Sequence, residues 1–502
     1  MQIQWWKLNL AIFAFLLAVV DARKNRYIVP GAPWYDTDGN LLSAHAGGIV
    51  EHDGKWYWFG QNERIEDKDL FSGINAYSSS DLLNWDYEGR ALSSINGTVI
   101  GPDTVVERPK AVFNEETQTW VLWFHSDNST YGLLRQGVAT SPNISGKPFA
   151  PFEQVMHADR QLRIYPGPYD FQGVFSPLGG TSQDFGLFQD VDHDGASYAL
   201  YSNGDADAAH DNLIARMNST FTGVEELVYE FPDFDLEAPT MFFSGTRYYI
   251  LMSHKTGYRP NNVVVFSAEK LEGPWSAQSY IATLGTRTFN SQSTMIISVK
   301  GSERSTFLYA GDQWTTAKDL YLSTYVWLPM SFNDNTGALN VDWHDLYSID
   351  VKTGSITVPN GESYEAEDGE ISGVAYSTLC PTCSGGRLVT NIQGNGTLTI
   401  SSIQGTGQPQ WVSIYYHNPD GKWGDNRGGD LLVLNRTATI TVNDDPPITL
   451  RQPSGSAGII LSQPLNVTFK AGGENRISFN GFRQGLASDV DKIVVYGNIY
   501  DD

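Results

Sequence analysis

Four acidic or amide side chains recur at matching places in successive stretches of the chain, each at the mouth of an apolar run. They are Glu107 in Val106-Glu-Arg-Pro-Lys110, Asp184 in Thr181-Ser-Gln-Asp-Phe185, Glu237 in Asp235-Leu-Glu-Ala-Pro-Thr240 and Gln292 in Phe289-Asn-Ser-Gln-Ser-Thr294. Carboxylates brought together raise one another's pKa, because each charge opposes the next. A carboxyl kept protonated beside an ionised one is the equipment for breaking a glycosidic bond. One group protonates the leaving oxygen, and the other handles the water or the ring. A calcium site, or carboxylates that serve only their turns, is the structural alternative for the same residues.

Hairpins must position these groups. Between about residues 45 and 350 the chain is rich in strand-forming residues and Gly/Asp/Asn turns, with hardly any helical periodicity. Two apolar or aromatic runs flank a polar turn at residues 47–59, 110–124, 186–201, 239–251 and 294–309, with Trp56, Trp120, Tyr198, Tyr248 and Phe307 as markers. Strand-like pieces at 76–85 and 264–275 read as outer strands of the same units. A short antiparallel sheet cannot bury both faces alone, so five such units predict a five-bladed β-propeller. An irregular β-sandwich is the alternative. Residues 352–361 are turn-rich and read as a linker. From 362 to 502 short alternating strands resume without the Asp-Gly-aromatic hairpins, which predicts a β-sandwich (jelly-roll) domain. The fold class is therefore all-β.

The ends and the composition set the context. Lys7, the apolar run Leu8–Val20 and the small-residue site near Ala22 have the layout of a signal peptide over residues 1–22, with the propeller domain spanning 23–351. Secretion is the expectation. It agrees with seven Asn-x-Ser/Thr sequons, at Asn96, Asn128, Asn143, Asn218, Asn395, Asn435 and Asn466. The two cysteines, Cys380 and Cys383, fit a local disulfide in an oxidising compartment. A net charge of −24 argues against nucleic acid and anionic membranes as partners. Aromatic residues make up 13% of the chain, enough to supply flat faces for sugars or simply to fill sheet cores.

The Leu236-Glu-Ala-Pro and Ser182-Gln-Asp-x-x-Leu-Phe motifs, with the five hairpins, resemble glycoside hydrolase family 43 over residues 27–350. The resemblance implies an inverting propeller hydrolase with Glu237 as general acid and Asp184 as modulator of its pKa. Gln183 stands where the family has Arg. The family's base Asp in the first unit is absent, since that stretch reads Ser43-Ala-His-Ala-Gly-Gly48. This stretch, together with Glu-Arg-Pro-Lys and Asn-Ser-Gln, resembles the exo-β-1,3-galactanase branch. There Gln292 would position or activate water through its amide oxygen, and Glu107 would bind the terminal galactose. Tyr131, Trp314 and His45 are further substrate-binding candidates. The implied partner is a β-1,3-galactan or arabinogalactan polysaccharide, with no cofactor for catalysis and a monomeric enzyme. An α-L-arabinofuranosidase or β-xylosidase of the same fold, and an inactive glycan-binding propeller, are the competing readings.

The C-terminal stretch resembles a family 35 carbohydrate-binding module through Tyr364-Glu-Ala-Glu-Asp-Gly369, Cys383-Ser-Gly-Gly386, the run from Asn391 and Ala487-Ser-Asp-Val-Asp-Lys-Ile493. The resemblance implies a structural calcium. Glu365 and Glu367 on one face of a strand and Asp491 near the last strand are its expected oxygen ligands. Tyr416, Asn418 and Arg427 are nominated as sugar contacts of this module.

Overall fold

Each expected hairpin opens a four-stranded antiparallel sheet in the computed structural model, which describes residues 24–67, 69–144, 169–204, 211–232, 234–315, 319–420 and 434–498. The first strands of the five sheets are His45–His52, Thr104–Asn114, Phe185–Gln189, Leu236–Phe243 and Gln292–Lys300. Each sheet runs outward in chain order. The pieces expected as outer strands are third strands, Gly73–Ser79 and Val263–Ala268. Turn chemistry is local. In the first hairpin Asp53 and Gly54 both take positive φ, 52° and 73°, between the paired residues His52 and Lys55. That is the two-residue primed turn whose twist matches the strands it joins.

Period-two alternation makes every sheet apolar on both faces. On the second strand of the first sheet, Trp58 packs against the fifth sheet with Met295, Leu308 and Trp327. Its neighbour Phe59 packs the other way, against Trp120 and Leu122 of the second sheet. Equivalent clusters join the second sheet to the third, the third to the fourth and the fourth to the fifth. The sheets thus form a closed ring whose first strands are neighbours around its axis. Closure is chemically specific. The Tyr325 hydroxyl of the fifth sheet accepts from Ala44 N at 2.9 Å, and Thr294 Oγ1 donates to Gly47 O. Burying a side chain such as Phe59 contributes roughly 1.5–3 kcal/mol, so each inter-sheet cluster is a major stabiliser.

Residues 352–361 are less of a linker than the sequence implies. Ser355–Thr357 pairs with Ser348–Asp350. The turn between them hydrogen-bonds the fifth sheet through Ser302 N to Lys352 O. Beyond it lie a six-stranded and a five-stranded antiparallel sheet with one apolar core between them, including Val412, Ile414, Ile440, Phe479 and Ile493. Cys380 and Cys383 are disulfide-bonded in a loop of this unit.

The two units are joined by more than chain continuity. Val29, Ala32 and Leu346 pack with Val494 and Tyr496. The Asp345 carboxylate accepts hydrogen bonds from Tyr415, Tyr496 and Ser462 of the C-terminal unit at 2.7–2.9 Å. Arg287, fully buried, donates to Ser454 O.

Candidate active site

At one end of the ring four of the five first strands break register. Irregularities fall between His45 and Gly48, Glu107 and Lys110, Glu237 and Thr240, and Ser293 and Met295. In the first, second and fourth sheets the residue inside the bulge, Ala46, Arg108 or Ala238, has φ of 47–58°. A bulge bends a strand and re-aims the side chains beside it. Repeated in four of the five sheets, it helps turn side chains into the axial cavity, while Asp184 reaches the cavity from just before the regular first strand of the third sheet. Gly47 belongs to this geometry, because a Cβ there would come within 2.2 Å of Phe59 O.

The cavity holds about 270 Å³ and is lined by Glu107, Asp184, Glu237, Gln292, Tyr131 and Trp314, among others. Six of the seven expected catalytic and substrate-binding residues therefore converge. His45 does not. It is 2% exposed, stacks on Tyr325 at 4.7 Å and holds Asp312 through Nδ1 at 2.9 Å. It lies behind the wall because the main chain turns at Ala46, whose amide also bonds Asp312, at 2.7 Å. The missing first-sheet carboxylate therefore has no substitute on the cavity wall there: Asp312 is 1% exposed, behind Ala46.

Arg108, which sequence reasoning left unassigned inside Glu-Arg-Pro-Lys, is the organising cation. Its guanidinium pairs with Asp184 at 2.8 Å and donates to Gln292 Oε1 at 2.5 Å and Ser293 O at 3.0 Å. Trp314 Nε1 donates to the same Gln292 oxygen at 2.8 Å. Arginine and tryptophan are donors only, so the amide atom facing them is the oxygen. Gln292 Nε2 consequently points at Glu237 Oε1, 2.8 Å away. The amide oxygen expected to accept from water is thus already engaged by two donors. The acid and the amide touch, unlike two carboxyls separated by a water.

Electrostatics divide the two glutamates. Burial, then the Asp184 charge, push the Glu237 pKa well above the usual carboxylate range, with Arg108 pulling the other way. Since Oε1 accepts from Gln292, the proton belongs on Oε2. Burial also opposes ionisation of Glu107, but hydrogen bonds from His125, Tyr258 and Tyr131 outweigh it and hold its pKa below the usual range. Both tyrosines donate to Oε1 at 2.7 Å. His125 sits behind, between Glu107 and Asp127. Burial would lower its pKa, but the hydrogen bonds it donates to these two carboxylates, and their charges, lift it to about 9. Glu107 is therefore an ionised acceptor and Glu237 a neutral donor. Tyr258 and His125 were not legible beforehand, since each lies outside the motifs that mark the strand openings.

In the C-terminal unit, no group of three or more His, Cys, Asp or Glu among the described residues is arranged ready to hold a metal. The individual atoms point the other way. Glu365 Oε2, Glu367 Oε2 and Asp491 Oδ1 are all buried without a hydrogen-bond partner. Burial, and then the charges of Glu365 and Glu367, lift the Asp491 pKa to about 6. A Cβ on Gly385 would meet Glu367 Oε1 at 2.5 Å and Glu365 Oε2 at 3.6 Å, so the glycine leaves open the space between them. Three orphaned carboxylate oxygens around a space fit a hard cation. Of the nominated sugar contacts, Tyr416 and Asn418 are buried and bond main-chain carbonyls. They support loops instead of meeting ligand. Arg427, like residues 1–22, lies outside the described residues.

No protein-family model and no curated protein matches the chain. Solved structures do. An exo-β-1,3-galactanase from Phanerochaete chrysosporium, solved with β-1,3-galactotriose, is 34% identical over 94% of this chain and 100% of its own, with a TM-score of 0.81. The same fungal enzyme with galactose gives 35% identity and the same coverage and score. A family 43 β-1,3-galactosidase solved with galactodeoxynojirimycin is 29% identical over 63% of this chain and 99% of its own, with a TM-score of 0.53.

Proposed function

The chain belongs to glycoside hydrolase family 43, and we propose that it is an exo-β-1,3-galactanase that releases galactose from β-1,3-galactan with inversion. The observation that carries this reading is the pairing of a protonated Glu237 with Gln292 and Asp184 in a cavity sized for a terminal sugar. Likeness to the fungal galactanase along nearly the whole chain supports the choice of sugar. The five-sheet ring is read as a five-bladed propeller, and the two C-terminal sheets as a sandwich-type carbohydrate-binding module.

Glu237 Oε2 gives its proton to the glycosidic oxygen as the bond to the anomeric carbon breaks. A water adds to the opposite face. Arg108 retains Asp184 when it releases Gln292 Oε1, which then holds this water. The water proton passes to Oε1, and Nε2 hands its own proton to Glu237 Oε1. The acid is thereby restored and Gln292 is left as the imidic tautomer, which reverts through solvent. Glu107 accepts hydrogen bonds from the sugar hydroxyls, with Tyr131 and Trp314 forming walls. No step draws on a cofactor. Glu365, Glu367 and Asp491 would hold calcium in the C-terminal module, where it would neutralise buried charge and tie the first strand of the module to the last. The chain is secreted in this reading, with residues 1–22 removed, and works as a monomer.

Proton NMR of the first turnovers on β-1,3-galacto-oligosaccharides tests the reading. α-Galactose should appear first. Initial β-galactose overturns inversion, and no galactose release overturns the assigned substrate.

A further inference from the structure

A second cleft, outside the active site, lies at the junction of the two units and holds about 440 Å³. Tyr27, Trp34, Tyr35 and Leu83 line it from the ring, and Trp411 and Asn466 from the C-terminal unit. Tyr35 is 52% exposed, so an aromatic face is left open there. Asn466 opens the sequon Asn466-Val-Thr468, and both Asn466 and Thr468 are exposed.

The strand register explains why this sequon is placed differently from the others. Strand Leu461–Thr468 pairs with Pro409–His417, with Tyr415 opposite Ser462, Ser413 opposite Pro464 and Trp411 opposite Asn466. Leu465 and Val467 face the inner core. Ser462, Pro464 and Asn466 therefore share the face turned to the ring. Ser462 is bonded to Asp345 within the interface, and Asn466 stands where the same row leaves the interface and enters the cleft. Directly opposite cross-strand side chains have Cβ atoms ~4.5–5.5 Å apart, which puts the Trp411 ring beside the Asn466 amide.

We propose that the first N-acetylglucosamine of an N-linked glycan on Asn466 lies in this cleft, with its apolar face on Trp411, and acts as a covalent wedge between the two units. The occupant is the chain's own modification. It is tethered at the rim, so its effective concentration in the cleft is high. A flat indole matches the C–H face of a pyranose ring, while the exposed Tyr35 offers a second wall with a polar hydroxyl. The inference rests on the secreted reading of the chain, and the test separates the two.

The full chain is secreted from a eukaryotic host, and occupancy at each sequon is read by glycopeptide mass. An endoglycosidase that cuts between the two core sugars is then applied to the native protein. The Asn466 glycan should be released several-fold more slowly than the glycan on Asn435, an exposed site outside the cleft. Trp411→Leu, which keeps apolar volume without a ring, should remove that protection. The melting temperature lost through Trp411→Leu should shrink when Thr468→Ala has already removed the sequon. Glycans elsewhere but none at Asn466, or equal release rates at the two sites, overturn the proposal. Protection of an unglycosylated cleft by β-1,3-galactotriose also overturns it, because the cleft would then be a substrate subsite. Glycans at no sequon would instead remove the secreted reading on which it rests.

Discussion

The ring and the C-terminal unit each bury a cluster of carboxylates, and they partner them differently. In the ring, Asp184 and Gln292 share Arg108, and Glu107 has His125 and two tyrosines. Every charge there is answered by a side chain of the same domain. In the C-terminal unit, Glu365, Glu367 and Asp491 each keep a buried oxygen without a partner. A buried charge costs several kcal/mol unless it is paired, so the two arrangements imply different fates. The internally compensated cluster can be tuned residue by residue, leaving one glutamate neutral and one ionised. Under the proposed function, the uncompensated cluster would take a cation from solvent and contribute to stability.

The sharpest way to press the comparison is Glu237→Gln. Loss of the proton donor should lower turnover on natural oligosaccharides ~10²–10⁴-fold, measured as galactose release. The melting temperature should hardly change, because a neutral carboxyl gives way to a neutral amide of the same shape whose oxygen can still accept from Gln292 Nε2. Wild-type turnover should itself decline as pH rises through the elevated Glu237 pKa, where the acid loses its proton. That basic limb should vanish from the residual activity of the variant.

Arg108→Met would make the ring cluster resemble the C-terminal one. Removing one partner of a buried ion pair costs about 3–5 kcal/mol, so chemical denaturation should show a loss of that order in the ring. Calcium should restore none of it. Rescue by calcium would mean that the ring cluster is a cation site and that the contrast is false.

A smaller effect is expected from chelation of the wild-type protein. It should lower the melting temperature of the C-terminal unit and leave galactose release nearly unchanged, through loss of a ligand that binds only the folded state. The pH dependence follows from Asp491, whose folded pKa of about 6 lies above its ordinary value of 3.8. Ionisation then opposes folding of the metal-free unit. Its stability should be highest below pH ~4 and should fall as pH rises through 6, so the gap between calcium-loaded and chelated protein widens over that range. Identical melting with chelator and with calcium at pH 7 would remove the site.

Deleting residues 361–502 is expected to do more than detach a tethered module. The interface would lose Tyr415, Tyr496 and Ser462 from Asp345, leaving a buried carboxylate with fewer partners, and would bare Val29, Ala32 and Leu346.

The amino-acid sequence alone determined the repeating hairpins, because alternation and turn residues act over a few neighbours. Asp53-Gly54 dictates its own turn wherever the hairpin lies. It also determined which positions open each first strand, and so Glu107, Asp184, Glu237 and Gln292 as a set. Tertiary structure decided what these groups are. Whether Glu237 keeps its proton depends on burial and on Asp184, about fifty residues away in the chain and adjacent only once the ring forms. Which atom of Gln292 faces which partner depends on Arg108 and Trp314, held in the second and fifth sheets. His45, a substrate-binding candidate from the sequence, lies behind the cavity wall because a bulge, not a side-chain pattern, decides which residue faces the axis. The docking of the two units was invisible for the same reason. Asp345 and Tyr415 carry no local signal, and their hydrogen bond exists only because two separately folded sheets meet. Hairpin formation is a short-range matter of backbone sterics, whereas pKa, amide orientation and interface are sums over neighbours that only the closed fold supplies.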